Sequence, residues 1–83
     1  MKKRQRRESY NFQFEYDGKW YACQRVVTGT RTLTQRIDVT GVGSKDDSAT
    51  YGHGAHPIAT MEGIARIIAG EILGQAASRP AKI

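Results

Sequence analysis

The 83-residue chain has one cysteine, two prolines and no long apolar run. A single cysteine excludes an internal disulfide, and no apolar stretch approaches the roughly 20 residues of a transmembrane helix. Because no apolar segment follows the basic start of the chain, we expect no secretory leader and predict a cytoplasmic protein without membrane partners. The length predicts one domain with a single core made of a sheet and a helix.

Aromatic and polar residues alternate over residues 10–16, which is the period-two pattern of a strand with one buried face. An Asp-Gly pair then supplies a turn, and a second β-rich run follows over residues 19–27. After a Gly-Thr loop, residues 32–40 form a third run that is rich in Thr, Ile and Val. The sequence therefore predicts a three-stranded antiparallel β-meander.

The pairing of these strands decides which side chains face the core, because a slip of one residue exchanges the two faces. A two-residue loop between the second and third strands places Ala22 opposite Ile37. A three-residue loop with a bulge at Gly18 then places Phe14 opposite Trp20. With this register, Trp20 and Ala22 are predicted to lie in the core.

The other face of the sheet is predicted to be a polar surface with two arginines and a tyrosine near its middle. Its members are Asn11, Gln13, Glu15, Tyr21, Cys23, Arg25, Thr32, Thr34, Arg36 and Asp38. Gln24 and Gln35 fall opposite each other on the core side, where their amides are expected to bond one another or reach water.

Residues 58–78 are predicted to form one helix, which starts near Pro57 or after Thr60. Apolar residues recur there at spacings of three and four, and the stripe they form is expected to pack on the sheet. The stripe consists of Met61, Ile64, Ala65, Ile68, Ile72 and Ala76. The predicted fold is α+β in the order β-β-β-α, with one domain over residues 9–79 and a tail at residues 80–83.

Five of the 13 basic residues precede the first strand. They are Lys2, Lys3, Arg4, Arg6 and Arg7. The remaining eight basic residues balance the eight acidic ones, so a neutral domain carries a basic arm over residues 1–8. The arm has no apolar residue after the first, so we expect it to be disordered and to contact phosphates with a steep salt dependence. A solubilising tail is the other interpretation.

Residues 41–57 connect the sheet to the helix and are expected to form a mobile, glycine-rich loop. A Gly-Val-Gly-Ser-Lys stretch within it lacks the Walker spacing of a phosphate-binding loop. His53 and His56, with Asp46 and Asp47, are residue types that bind zinc or manganese. A loop of this kind offers no rigid support for such ligands, so we predict no metal and no other cofactor.

No catalytic signature is present in the sequence. Cys23 has no neighbouring histidine in the sequence and no helix N-terminus that would lower its pKa. A general base must be held within hydrogen-bonding reach of its proton, and the loop histidines have no group oriented to hold them. We therefore predict that the chain is not an enzyme.

A Gly-Lys-Trp segment at residues 18–20, followed by Ala22 and Arg25, carries a family resemblance. Together with the three-stranded layout, it resembles the plant ethylene-response-factor (Apetala-type) DNA-binding domain and the arm-binding domains of phage and transposon integrases. The resemblance implies that the tryptophan and Ala22 face the helix, that Arg25 enters the major groove, and that the partner is duplex DNA.

The leading functional prediction is a small non-enzymatic nucleic-acid-binding protein. The arm would grip phosphates, while Gln13, Tyr21, Arg25 and Arg36 would present hydrogen-bonding groups to a groove. The alternative is a protein-interaction or homodimerisation module that binds no nucleic acid.

Glycines inside the predicted helix point to close approach by another chain. Gly63, Gly70 and Gly74 each disfavour the helix by about 1 kcal/mol relative to alanine. On a helical wheel they lie beside Ile67, on the side away from the core stripe. We therefore expect a homodimer in which a second copy packs on this surface.

Overall fold

The computed structural model describes residues 6–78. Five β-strands, a 3-10 turn and one α-helix follow in chain order. They are β1 (Arg6–Tyr16), β2 (Lys19–Gly29), β3 (Thr32–Val39), β4 (Gly43–Asp46), β5 (Tyr51–Gly52), the 3-10 turn (Ile58–Thr60) and α1 (Met61–Ser78). The predictions for Lys2, Lys3, Arg4 and the tail at residues 80–83 lie outside the described residues.

The sheet is antiparallel and has the order β1-β2-β3-β4, with β5 also paired to β3. The predicted α+β class, with a meander followed by a C-terminal helix, is confirmed, and the sheet gains a fourth strand. β1 begins at Arg6, so residues 6–8 of the predicted arm belong to a strand. No helix within residues 6–78 has the length and hydropathy of a membrane span.

The first hairpin turns through two residues. Asp17 and Gly18 both have positive φ angles, of 53° and 78°, as a type I′ turn requires. Tyr16 therefore pairs with Lys19, and Phe14 pairs with Tyr21. The predicted three-residue loop was wrong because aspartate tolerates the left-handed conformation, which removes the need for a bulge.

The second hairpin also differs from the prediction, since Gly29 pairs with Leu33 and Cys23 pairs with Val39. Gly29 has a φ of 137°, and a Cβ there would lie 2.1 Å from the carbonyl oxygen of Thr32. Only glycine fits so close an approach. Because both registers are shifted, β1 and β3 turn the predicted side chains toward the core, whereas β2 is reversed and turns its other face toward the core.

The core lies between the sheet and α1. The helical stripe was predicted correctly in its centre, where Met61, Ala65, Ile68 and Ile72 are buried. On β2 and β3, the buried residues are Cys23, Val27, Leu33, Gln35, Ile37 and Val39. α1 starts after Thr60, the second of the two predicted starts, and the Thr60 hydroxyl donates to the Pro57 carbonyl at 2.7 Å.

The connection over residues 41–57 contains β4 and β5 where a structureless loop was predicted. Tyr51 anchors it, with its side chain fully buried against Val27, Leu33 and Met61. The buried Tyr51 side chain explains why the four glycines of this connection do not prevent local structure.

Gln35 was expected to meet Gln24, but Val27 lies opposite Gln35 and Gln24 is on the other face.

Candidate nucleic-acid interface

The side of the sheet that α1 leaves uncovered carries mostly hydrogen-bonding side chains. These side chains alternate along each strand with the core residues, so they project to one side. We call this surface the helix-free face. On β1 to β3 it consists of Arg7, Ser9, Asn11, Gln13, Glu15, Trp20, Ala22, Gln24, Val26, Thr28, Thr32, Thr34, Arg36 and Asp38.

A shallow depression lies near the middle of the helix-free face, around Ala22. Asn11 pairs with Gln24, and Gln13 pairs with Ala22, so three primary amides surround this small residue. Each amide offers donors and an acceptor, the combination that reads the edges of nucleic-acid bases. The depression therefore suits a planar ligand with hydrogen-bonding edges.

Trp20 lies on the helix-free face beside the first turn, opposite Glu15, and is 64% exposed. The resemblance implied that Trp20 and Ala22 face the helix, and this expectation was wrong because β2 is reversed. Exposed aromatic side chains on a sheet stack on unpaired bases in proteins that bind single strands. Trp20 is thus available for stacking, two residues along β2 from the amide depression.

Arg36 lies on the helix-free face, where the sequence placed it. Its guanidinium donates to the Asp46 carboxylate at 2.9 Å and to the Ser44 hydroxyl at 2.7 Å. Both members of the ion pair are more than half exposed. Such a surface pair contributes at most about 1 kcal/mol, so a phosphate can compete with the carboxylate for Arg36.

Positive charge collects at one end of the sheet. Arg6 and Arg7 begin β1, and Arg31 lies in the loop after β2, beside the Gly29 that pairs with Arg6. We call Arg6, Arg7 and Arg31 the basic end. Arg6 forms a 3.6 Å ion pair with Glu8, whereas Arg7 and Arg31 belong to none of the three ion pairs within residues 6–78. The rest of the predicted arm precedes Arg6 in the chain.

Two predicted site residues lie on the opposite side of the sheet. The Arg25 guanidinium stacks over the Tyr10 ring, 4.4 Å from its centroid. Tyr21 is half-buried and packs against the core. The reversal of β2 therefore separates them from Gln13 and Arg36, and the expectation of one polar face holding all four was wrong.

The helix-free face itself is close to neutral. On and beside it, Arg7 and Arg36 are offset by Glu15, Asp38 and Asp46. Phosphate attraction grows with the number of phosphates that positive side chains neutralise. Electrostatic affinity for a polyanion therefore has to come from the basic end, while the face contributes hydrogen bonds and stacking.

The two glycines in the second half of α1 lie against β1. A Cβ on Gly70 would be 3.5 Å from the Phe14 ring, and one on Gly74 would be 3.5 Å from the Tyr16 hydroxyl. The prediction that these glycines face outward was wrong, since the helical wheel does not show how far β1 reaches under α1. A Cβ at either position would make an ordinary van der Waals contact, and the residues that face the two glycines belong to the same chain.

The other two predicted dimer contacts do face solvent. A Cβ on Gly63 would meet no atom within 4 Å, and Ile67 is 62% exposed. An exposed isoleucine next to a glycine forms only a small apolar patch. Without Gly70 and Gly74 it no longer forms the groove that the sequence predicted, so self-association through this side of α1 stays a prediction.

The predicted metal-ligand types do not meet at one point. Asp46 pairs with Arg36, and Asp47 accepts hydrogen bonds inside the protein. His56 lies beside Tyr51, with ring centroids 6.0 Å apart. Within residues 6–78, no group of three or more His, Cys, Asp or Glu residues is arranged to hold a metal ion.

Cys23 is a core residue that is 3% exposed. Burial raises the pKa of its thiol, although the charge of Arg66 acts in the opposite direction. The thiolate is the reactive form of cysteine, so this environment opposes nucleophilic chemistry. Its Sγ donates to the Tyr21 carbonyl at 3.7 Å.

Trp20, Asn11, Gln24 and Arg31 were not predicted as site residues. Trp20 and Gln24 depend on the face of β2, and the signal that fixes it is the Asp-Gly pair, a strong type I′ hairpin signature. Asn11 lies on β1 and was predicted on the polar face, but it was not assigned a binding role. Arg31 stands alone in the sequence and joins other charges only through the pairing of β1 with β2. Comparison with family models, curated proteins and solved structures found no match to this chain.

Proposed function

We propose that this chain is a small, non-enzymatic nucleic-acid-binding protein that holds phosphates at the basic end and presents the helix-free face to bases. The observation that carries the proposal is the position of Arg7 and Arg31. Both lack a carboxylate partner within residues 6–78, and both stand at the end of the sheet where the Lys- and Arg-rich arm joins β1.

The charge of the basic end explains attraction to a polyanion, but it does not determine where the polyanion lies on the protein surface. The amide depression around Ala22 adjoins the same sheet surface, and Arg7 lies on that surface at its basic end. A strand whose phosphates contact Arg7 and Arg31 can run along the face toward Trp20. Phosphate contacts would then fix position, and the amides would contact base edges.

Two features bear on the kind of nucleic acid. The resemblance implied duplex DNA, through an arginine of β2 that enters a groove. On the helix-free face, β2 presents Trp20 and Gln24, and an exposed indole favours a strand with unpaired bases. The proposal therefore names nucleic acid as the partner, and the test compares duplex DNA, single-stranded DNA and RNA.

Fluorescence anisotropy with the three probes at two or more salt concentrations tests the proposal. We expect binding whose logarithmic salt slope falls by about one for Arg31→Ala, the loss of one phosphate contact. Lys45→Ala removes the same charge from a residue paired with Glu71 on the other side of the molecule, and it should leave the slope unchanged.

Absence of binding to all three probes at low salt would reject the proposal and leave the protein-interaction alternative. Equal losses for Arg31→Ala and Lys45→Ala would show attraction to overall charge only. In that case the basic end would not be a binding site.

A further inference from the structure

β1 forms one edge of the sheet and has an unpaired outer side. Within residues 6–78 its only strand partner is β2, and it runs for 11 residues from Arg6 to Tyr16 without proline or bulge. Natural edge strands are usually short, bulged, interrupted by proline, covered or lined with charged side chains, because free backbone groups recruit other strands. β1 has none of the first three protections.

The free backbone groups of β1 belong to its odd-numbered residues. A two-residue hairpin loop is closed by a hydrogen-bonded pair, here Tyr16 and Lys19, so alternate residues from Tyr16 backward bond to β2. The residues between them point their N–H and C=O groups outward. One observation agrees, since the Arg66 guanidinium reaches the Gln13 carbonyl from outside the sheet at 3.3 Å.

The outward residues are self-complementary about Asn11, the midpoint of β1. In an antiparallel pair of two β1 strands centred there, Arg7 lies opposite Glu15, and Ser9 lies opposite Gln13. All of these are outward residues, so each opposed pair is a hydrogen-bonded one. The charge pair occurs twice, once on each side of the two-fold axis, and both times on the helix-free face. Such an exposed pair contributes at most about 1 kcal/mol, so a phosphate can still compete for Arg7.

The other face of β1 also matches itself. In the same pairing Tyr10 lies opposite Phe12, and Arg6 lies opposite Tyr16. Tyr10 is 42% exposed and Phe12 is half-buried in the single chain, so a second copy would cover aromatic surface that is now in contact with water. Cross-strand aromatic pairs and a cation over an aromatic ring are both stabilising contacts.

We propose that two copies of this chain pair through β1, antiparallel and centred on Asn11, to form one continuous sheet. Ten backbone hydrogen bonds, about two for each of five opposed pairs, would join the copies. α1 comes nearest to β1 at Phe14 and Tyr16. In the proposed pairing Phe14 lies opposite Glu8 of the other copy, so the two Phe14 residues are six residues, roughly 20 Å, apart along the seam, which exceeds the spacing of about 8 to 10 Å between packed helices. Arg66 can keep its contact, because a carbonyl accepts two hydrogen bonds.

The first test exchanges the charges at positions 7 and 15 and measures the dimer dissociation constant by sedimentation equilibrium without nucleic acid. Glu15→Arg places arginines opposite Arg7, and Arg7→Glu places glutamates opposite Glu15. We expect each variant to raise the dimer dissociation constant about tenfold. The double variant should restore it, since opposite charges face each other again. Within the chain, Arg7 pairs with Thr28 and Glu15 with Trp20, so no ionic contact of the fold is lost.

The second test locates the axis with cysteine variants in a Cys23→Ala background. Asn11→Cys places two thiols in opposed positions, with Cα atoms about 5.5 Å apart, whereas Gln13→Cys separates them by four residues, about 14 Å. We expect a short thiol cross-linker to join the copies at position 11 and not at position 13. A monomer at all concentrations, a double exchange variant that is not restored, or equal cross-linking at both positions would overturn the proposal, whatever the protein binds.

Discussion

Gln35 donates a hydrogen bond from Nε2 to the Asp47 carboxylate at 2.9 Å, although Gln35 is 3% exposed. The same nitrogen contacts the Met61 carbonyl at 3.0 Å, and the Tyr51 hydroxyl donates to Asp47. One amide thus links β3, the connection over residues 41–57 and the start of α1. A buried polar group that is bonded on several sides fixes the position of each segment it touches.

Asp47→Ala is expected to destabilise the protein by about 1 to 3 kcal/mol, because it leaves the buried Gln35 amide and the Tyr51 hydroxyl without their acceptor. Urea unfolding measures this change. The control is Asp46→Ala at the adjacent, exposed carboxylate, whose pair with Arg36 contributes at most about 1 kcal/mol. If the two variants lost equal stability, the buried network would not hold this connection in place.

The network also predicts a pH dependence at acid pH. Burial raises the pKa of Asp47, but hydrogen bonds from Gln35, Tyr51 and the Ala49 N–H outweigh it and hold that pKa below its ordinary value. A carboxyl with a lowered pKa stabilises the fold above its unfolded pKa of about 3.9. That contribution is lost as the pH falls through the folded pKa, so urea unfolding should show a steeper acid decline in the parent than in Asp47→Asn.

At alkaline pH the sign is opposite. Burial, then the hydrogen bond to Asp47 and its charge, raises the pKa of Tyr51 to about 12. A phenol with a raised pKa stabilises the fold fully below its unfolded pKa of about 10 and loses that contribution as the pH rises to about 12. Tyr51→Phe should flatten the alkaline decline in the free energy of unfolding. Tyr16→Phe is the control, since Tyr16 lies outside this network.

The sequence was sufficient to predict the three long strands and the helix, and the buried faces of two of those strands, whereas β4 and β5 were missed. Alternation identified the buried faces of β1 and β3, since their apolar residues repeat every second position. In β2, either face could be the buried one, because Trp20 and Val26 share one face and Cys23 and Val27 share the other. The turn before β2 therefore determines which face is buried, and the positive φ of Asp17 decides the type of that turn.

The candidate site was harder to predict from the sequence than the fold, for the same reason. Gln13 and Arg36 were placed on the correct face because β1 and β3 were read correctly. Tyr21 and Arg25 were placed on the wrong face together with β2. Arg31 lies at the same end of the sheet as Arg6 only because Arg6 pairs with Gly29, two residues before Arg31, and no local pattern in one sequence records that pairing.

Gly70→Leu is expected to lower the free energy of unfolding by about 1 to 3 kcal/mol. A Cβ there already lies 3.5 Å from the Phe14 ring, so the leucine atoms beyond Cβ would crowd the ring. Gly63→Leu is the matched control. Its site is open, so the gain in helix propensity should leave stability unchanged or raise it by up to about 1 kcal/mol. If Gly70→Leu instead kept full stability and dissolved a dimer, the outer-helix interface predicted from the sequence would be restored.

The last prediction concerns Trp20 and separates the helix-free face from the basic end. Trp20→Ala should weaken binding to single-stranded probes by about 1 to 3 kcal/mol, the value of one stacked base, and leave the salt slope unchanged. Trp20→Phe should recover part of the loss, because a smaller ring still stacks.

Duplex probes give the internal comparison for Trp20→Ala. Their bases are already stacked on one another, so the affinity for duplex probes should change little. Ile67→Ala is the control for loss of an exposed apolar side chain, as Ile67 is 62% exposed on the other side of the molecule. Anisotropy titrations of each variant at two salt concentrations provide both readouts. Unchanged binding in Trp20→Ala would remove Trp20 from the proposed interface, because the variant loses both the stacking surface and the Nε1–H donor of the indole.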